Sequence, residues 1–123
     1  MILVDTSVWI DHLRTGVPAL AMALEDEQVL MHPFVLGELA CRNLRDRNEV
    51  LRLLAKLPRV TSASDAEVLQ MIEHRSLMGK GLGYIDVHLL ASVALEGTAR
   101  LWTHDRRLAA VAAELGLARE GGS

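Results

Sequence analysis

Residues Ile2–Arg14 read ILVDTSVWIDHLR: three apolar residues run straight into Asp5, with Thr6 and Ser7 directly behind it. An apolar run of this kind suits a buried strand. A carboxylate that closes such a strand is costly, because an unpaired charge in low dielectric loses several kcal/mol or gives up its ionisation. Asp5 is therefore either a strand end that reaches the surface or an anion required by something beyond the strand. The same grammar recurs at Arg100–Asp105, RLWTHD, where an apolar stretch ends in Thr103, His104 and Asp105.

Working outward, short apolar runs at Ile2–Val4, Gln28–Met31, Arg59–Thr61 and Arg100–Thr103 are read as strands. Between them lie segments with helical spacing. Val50, Leu53, Leu54 and Leu57 recur at i, i+3, i+4 and i+7, as do Leu108, Val111, Ala112 and Leu115. Ser64 followed by Glu67 forms a capping box for a helix carrying Val68, Met71 and Ile72. Pro33 suits the first turn of a helix expected to run to Asn43, and Pro58 stops the next one. Gly97 and Gly116 stand where helix C-caps belong. Glu25–Asp26–Glu27 reads as a helix end running into a turn. Tyr84–Gly97 is apolar nearly all round, the pattern of a helix covered on most sides. Strands alternating with helices predict an α/β fold with a mostly parallel central sheet.

Bulk properties narrow the function. A chain of 123 residues, half of them hydrophobic and about a quarter charged, has room for one domain with a real core. One domain is expected over residues 1–119, with a flexible tail at 120–123. No stretch reaches the roughly 18 apolar residues of a membrane span, and Asp5 interrupts any secretory signal, so a cytoplasmic protein is expected. The lone Cys41 has no intrachain disulfide partner, and no Cys/His spacing suggests structural zinc. The net charge of −3 excludes nucleic-acid binding through a broad basic field, and the scarcity of aromatics excludes a multi-base stacking platform.

The acids decide the chemistry. In open parallel sheets ligands bind beyond the carboxyl ends of the strands, so Asp5 and Asp105 belong to one edge. Glu38, in HPFVLGELA, and Asp86, in GYIDVHLLA, sit near helix starts and can converge on the same crevice. Two carboxylates about 5 Å apart repel by roughly 3 kcal/mol at an effective dielectric of 20, or about two pKa units per pair. Four could not all stay ionised unaided. A hard divalent cation reverses that repulsion, and an oxygen-only donor set suits Mg²⁺ or Mn²⁺. Thr6, Ser7 and Thr103 supply hydroxyls that can hold carboxylates or water at both strand ends. The plain alternatives remain open at this level: Asp86 also favours a helix N-terminus. His12, His32, His74 and His104 read as surface or capping residues, and His88 as a satisfied buried histidine.

Four stretches together, LVDTSVWIDHLR, GELA around Glu38, GYIDVHLLAS around Asp86 and LWTHDRRL around Asp105, resemble the PIN-domain family, most closely its VapC-type toxins. The resemblance covers nearly the whole chain in order. It implies a three-layer fold with a central, mostly parallel sheet flanked by helices. It also implies a Mg²⁺- or Mn²⁺-dependent endoribonuclease that hydrolyses RNA phosphodiesters with metal-activated water. The family's acidic quartet corresponds to Asp5, Glu38, Asp86 and Asp105, with Asp5, Asp86 and Asp105 as metal ligands and Thr6, Ser7 and Thr103 in support. Implied partners are an RNA substrate, a cognate antitoxin protein and a second copy of the chain in a homodimer. Arg42, Arg45, Arg106 and Arg107 are expected to meet the RNA backbone. The apolar helices over Leu36–Leu57 are compatible with a dimer or antitoxin surface. Three other readings compete: a PIN nuclease of RNA processing outside toxin–antitoxin pairs, a non-catalytic PIN-like scaffold, and a phosphoacceptor domain of the response-regulator type.

Overall fold

The computed structural model describes residues 1–121; Gly122 and Ser123 of the expected tail lie outside the described residues. Three strands form a parallel sheet in the order β2-β1-β3, with β1 at Ile2–Val4, β2 at Val29–Leu30 and β3 at Arg100–Trp102. Ile2 pairs with Val29 and Arg100, Leu3 with Leu30 and Leu101, and Val4 with Trp102. Because all strands run one way, their carboxyl ends emerge on one edge. Asp5, His32 and Thr103–Asp105 follow there.

The expected strand at Arg59–Thr61 shrinks to a single parallel bridge between Met31 and Arg59. The physical reason is Thr61, whose amide and hydroxyl both donate to Glu96 Oε1, at 2.8 and 2.9 Å. Those bonds turn the chain away from the ladder. Strand β1 has its expected bounds, whereas β2 is two residues shorter than expected and β3 one.

Helices cover the sheet. Helix α1 spans Thr6–Thr15, α2 Pro18–Glu25 and α3 Pro33–Ala40. Helix α4 spans Arg47–Leu54, α5 Asp65–Arg75, α6 Tyr84–Glu96 and α7 Arg106–Glu114. In α1 the buried Val8 and Trp9 join the core with Leu3 and Val4, and Ile10 and Leu13 pack against it. Helix α3 stops three residues before the expected Asn43, because the Arg42 amide folds back onto Leu39 O and Arg47 Nη2 claims Ala40 O. Helix α5 carries the expected capping box: Glu67 N donates to Ser64 Oγ and Ser64 N to Glu67 Oε1. Helix α6 is buried continuously from Val87 to Val93, as an all-round apolar helix should be. It packs against α5 and β3, while α1 packs on α3. Gly97, at φ 74°, caps α6, and Gly116, at φ 72°, follows α7.

Candidate active site

Asp5 occupies the N-cap position of α1 but makes no side-chain capping bond. An N-cap aspartate ordinarily accepts from the backbone amides two or three residues on. Here Oδ2 instead accepts two hydroxyls, Ser7 Oγ at 2.8 Å and Thr103 Oγ1 at 2.7 Å. One hydroxyl comes from α1 and the other from the end of β3, so Asp5 is held across the parallel pair. Both hydroxyl protons are committed to Asp5, so the 3.2 Å approach of Ser7 Oγ to Thr103 Oγ1 adds contact but no donor. The lone pairs of the two hydroxyls are used in turn: Ser7 Oγ accepts from His104 N and Thr103 Oγ1 from Asp105 N.

The other acids follow one pattern. Thr6 Oγ1 donates to Glu38 Oε1 at 2.7 Å, tying α1 to α3. Gly83 N donates to Asp86 Oδ2 at 3.0 Å, the bond of a helix start. Leu108 N donates to Asp105 Oδ1 at 3.0 Å, so Asp105 does cap its helix. The modest reading of Asp86 as a helix-start residue is thus correct as far as it goes. In every case one carboxylate oxygen is held, while Asp5 Oδ1, Glu38 Oε2, Asp86 Oδ1 and Asp105 Oδ2 accept no hydrogen bond among the described residues.

The fields of the four acids overlap at Asp86. Its carboxyl is pushed above the usual carboxylate range, first by burial and then by the charges of Asp5, Asp105 and Glu38, against the pull of the Gly83 amide. An anionic centre therefore exists around Asp86. Among the described residues, no three carboxylates, imidazoles or thiols are gathered closely enough to serve as a ready cage for one ion. The donors still fit a hard divalent cation: all are carboxylate oxygens, each braced on one side and open on the other. Mg²⁺ in particular keeps several of its own waters and needs only one or two direct carboxylates.

Sequence reasoning missed the part played by His104. Its amide locks Ser7, and its Nδ1 meets Asp11 Oδ2 at 2.6 Å, one turn along α1 from Ser7. Nothing in the chain's spacing signals that link, which joins residues 93 positions apart. His12 and His32 act locally as expected, their Nδ1 atoms accepting from Val17 N and Phe34 N. His88 corrects the expectation of a satisfied buried histidine. Its Nε2 pairs with Asp65 Oδ1 at 3.0 Å, but its buried Nδ1 has no partner.

The arginines divide. Arg106 and Arg107 open α7 directly after Asp105. Gly81, at φ 80°, lets Arg107 lie across the Met78–Gly83 loop, since a Cβ there would stand 2.7 Å from Arg107 Cδ. Arg42 and Arg45 instead join Arg14 in lining a cleft of about 640 Å³ that includes none of the four acids.

Ribonuclease VapC32 of Mycobacterium tuberculosis is 50% identical to this chain over 118 residues, in strain CDC 1551 / Oshkosh and in strain ATCC 25618 / H37Rv alike. The match covers 96% of this chain and 95% of that protein. The family model of the PIN domain matches residues 2–114. With helices flanking a parallel sheet and a match spanning nearly its whole length, the chain belongs to the PIN domain family, which displaces the phosphoacceptor reading.

Proposed function

We propose that this protein is an endoribonuclease, the toxin of a toxin–antitoxin pair, and that Asp5, Glu38, Asp86 and Asp105 are its catalytic acids. The observation that carries the assignment is the bracing of all four acids by one oxygen, with the other left open at the carboxyl edge of the sheet.

Asp5, Asp86 and Asp105 would hold Mg²⁺ or Mn²⁺, directly or through water. When bound, the ion makes water a better nucleophile and offsets charge growing on the scissile phosphate. The chain's own groups do the rest. Ser7 and Thr103 fix the Asp5 carboxylate, and Thr6 fixes Glu38. Glu38 positions the attacking water and takes up its proton. Water oxygen bonds to phosphorus, the P–O3′ bond breaks, and the departing O3′ takes a proton from solvent. The products carry a 5′-phosphate and a 3′-hydroxyl. The raised Asp86 carboxyl fits metal binding, because a cation would favour the ionised form that burial first, and then the neighbouring acids, oppose.

The remaining assignments rest on likeness to VapC-type proteins: a nuclease domain over residues 1–119, a cognate antitoxin, a homodimer and a cytoplasmic location. No described helix is long and apolar enough to cross a membrane.

The test is cleavage of total cellular RNA by purified protein freed of any co-purified partner, with Mg²⁺, with Mn²⁺ and with chelator. Asp5→Asn runs beside it. Cuts that need the ion and vanish in a folded variant are expected. Cleavage that survives Asp5→Asn removes Asp5 from the site.

A further inference from the structure

The one phenylalanine and the one tyrosine of the chain stand together on its surface. Phe34 is 40% exposed and Tyr84 45% exposed, whereas Trp9 and Trp102 are buried. Both exposed rings stand edge-on to His88. The Phe34 centroid lies 4.8 Å from that of His88 at 71°, and the Tyr84 centroid 4.7 Å away at 88°. His88 is only 3% exposed, so both exposed rings rest against one buried ring.

That frame is rigid. His88 Nε2 is fixed by Asp65 Oδ1, and the Tyr84 hydroxyl donates to the same oxygen at 2.9 Å. On the other side, His32 lies 5.0 Å from Phe34 between centroids and accepts the Phe34 amide. Two buried ring nitrogens, His32 Nε2 and His88 Nδ1, have no protein partner. His32 Nδ1 accepts the Phe34 amide, so its neutral ring carries the proton on Nε2, with the His88 centroid 6.4 Å away.

The position of the pair gives it a use. Phe34 and Glu38 are one turn apart on the same face of α3, with Cβ atoms about 5–6 Å from each other. Tyr84 opens α6, whose third residue is Asp86. Phe34 therefore neighbours Glu38 on α3, and Tyr84 stands in the first turn of α6 with Asp86. Single-stranded RNA is held largely by unstacked bases lying on aromatic side chains. This chain, at net charge −3, has little electrostatic attraction for a polyanion and needs such a contact more than a basic protein would.

We infer that Phe34 and Tyr84, framed on His88, form a cradle for one unstacked RNA base next to the scissile phosphate, and so help to select the cleavage position. The inference rests on the ribonuclease reading above. Because each ring type occurs once, its proton resonances are unambiguous. The experiment titrates the protein, in chelator, with single-stranded RNA hexamers of A, of C and of U. The ring protons of Phe34 and Tyr84 should move upfield, further with one base than with the others. Phe34→Leu and Tyr84→Leu should each raise KM roughly tenfold with a smaller change in kcat and flatten the base preference beside the mapped cuts. Tyr84→Phe, which keeps the ring, should stay near wild type.

Rings unmoved up to millimolar RNA, or Leu variants with unchanged base preference, overturn the cradle. If the wild type still cuts RNA with metal in that case, the ribonuclease assignment stands alone. Ring shifts without any metal-dependent cleavage would instead sink that assignment. Ring signals that move with protein concentration and ignore RNA would give the surface to contact between copies of the chain, and the cradle would fail.

Discussion

Asp86 carries the energetic signature of the site, because it holds a charge that its surroundings oppose. Its folded-state pKa lies above the unfolded value of 3.8. The folded protein therefore binds that proton more tightly, and the stability it brings is lost as pH rises through the folded pKa. At neutral pH the ionised Asp86 is a net cost, so Asp86→Asn should melt a few degrees higher than wild type in chelator. Asn keeps an acceptor for Gly83 N. The gap should close below about pH 4, and added Mg²⁺ should raise the melting temperature of the wild type but not of the variant. An Asn variant that is less stable at pH 7 in chelator would contradict the repulsion. His32 behaves in the opposite sense. Buried at 2% exposure, it is held neutral by desolvation, with the charges of His88 and Arg59 adding to the effect, and its pKa falls from 6.5 to about 4. The unfolded chain takes a proton below pH 6.5 that the native protein refuses, so stability present above that pH is lost as it falls toward 4. The full loss is about 3 kcal/mol. His32→Asn keeps a side-chain acceptor at the N-cap, and denaturant midpoints at pH 7, 5 and 4 should fall less steeply for it than for wild type. At this scale Asp5 and Asp105 are legible in a repeated grammar, strand then acid, whereas Glu38 and Asp86, on helices, are picked out only by the resemblance. The bracing is not legible, since it joins Asp5 to Thr103 and Thr6 to Glu38 across 98 and 32 positions.

Elements were legible where their ends carry chemistry of their own. Ser64 and Glu67 announce α5 because the capping box is local, a reciprocal bond between neighbours three apart. Ser64→Ala should accordingly cost about 1 kcal/mol of stability, read as a lower thermal midpoint, while cleavage is untouched because α5 holds none of the four acids. Equal stability would mean that the packing of Val68 alone sets the helix. Ends that depend on distant partners were misjudged. Helix α3 stops at Ala40 because Arg47 reaches back to it, and the Arg59–Thr61 segment leaves the sheet because Glu96 captures Thr61. Helix α1 was hidden by its composition: Thr6, Val8, Trp9 and Ile10 favour strands. It is helical because Val8 and Trp9 gain burial in the core and because the chain must turn at Asp5. The glycine-rich loop before α6 shows the same division. Its glycines mark a turn, but only the structure shows that Gly81 makes room for Arg107.

At the level of the whole molecule, topology and charge together determine how RNA can be held. The order β2-β1-β3 places the first and last strands of the chain side by side, so residues from its two ends share one edge. That adjacency follows from a parallel α/β layer and could be expected from sequence; the grouping of exposed aromatics around His88 could not, because it depends on how α3, α5 and α6 meet. The resulting surface is locally acidic at the quartet, apolar at Phe34 and Tyr84, and cationic at Arg106 and Arg107. Few phosphates can be neutralised by such a surface. Each contact on a single strand contributes about −0.7 to the slope of log affinity against log salt. With about two or three such contacts the slope should lie near −2, far shallower than for a basic nucleic-acid binder. The measurement is anisotropy of a labelled single-stranded RNA against folded Asp5→Asn protein, over a tenfold range of monovalent salt at fixed Mg²⁺. A slope of about −5 or steeper would require many more cationic contacts than α7 offers. It would shift the burden of binding to the Arg14, Arg42 and Arg45 cleft, and stacking on the aromatic pair would then be a minor part of affinity.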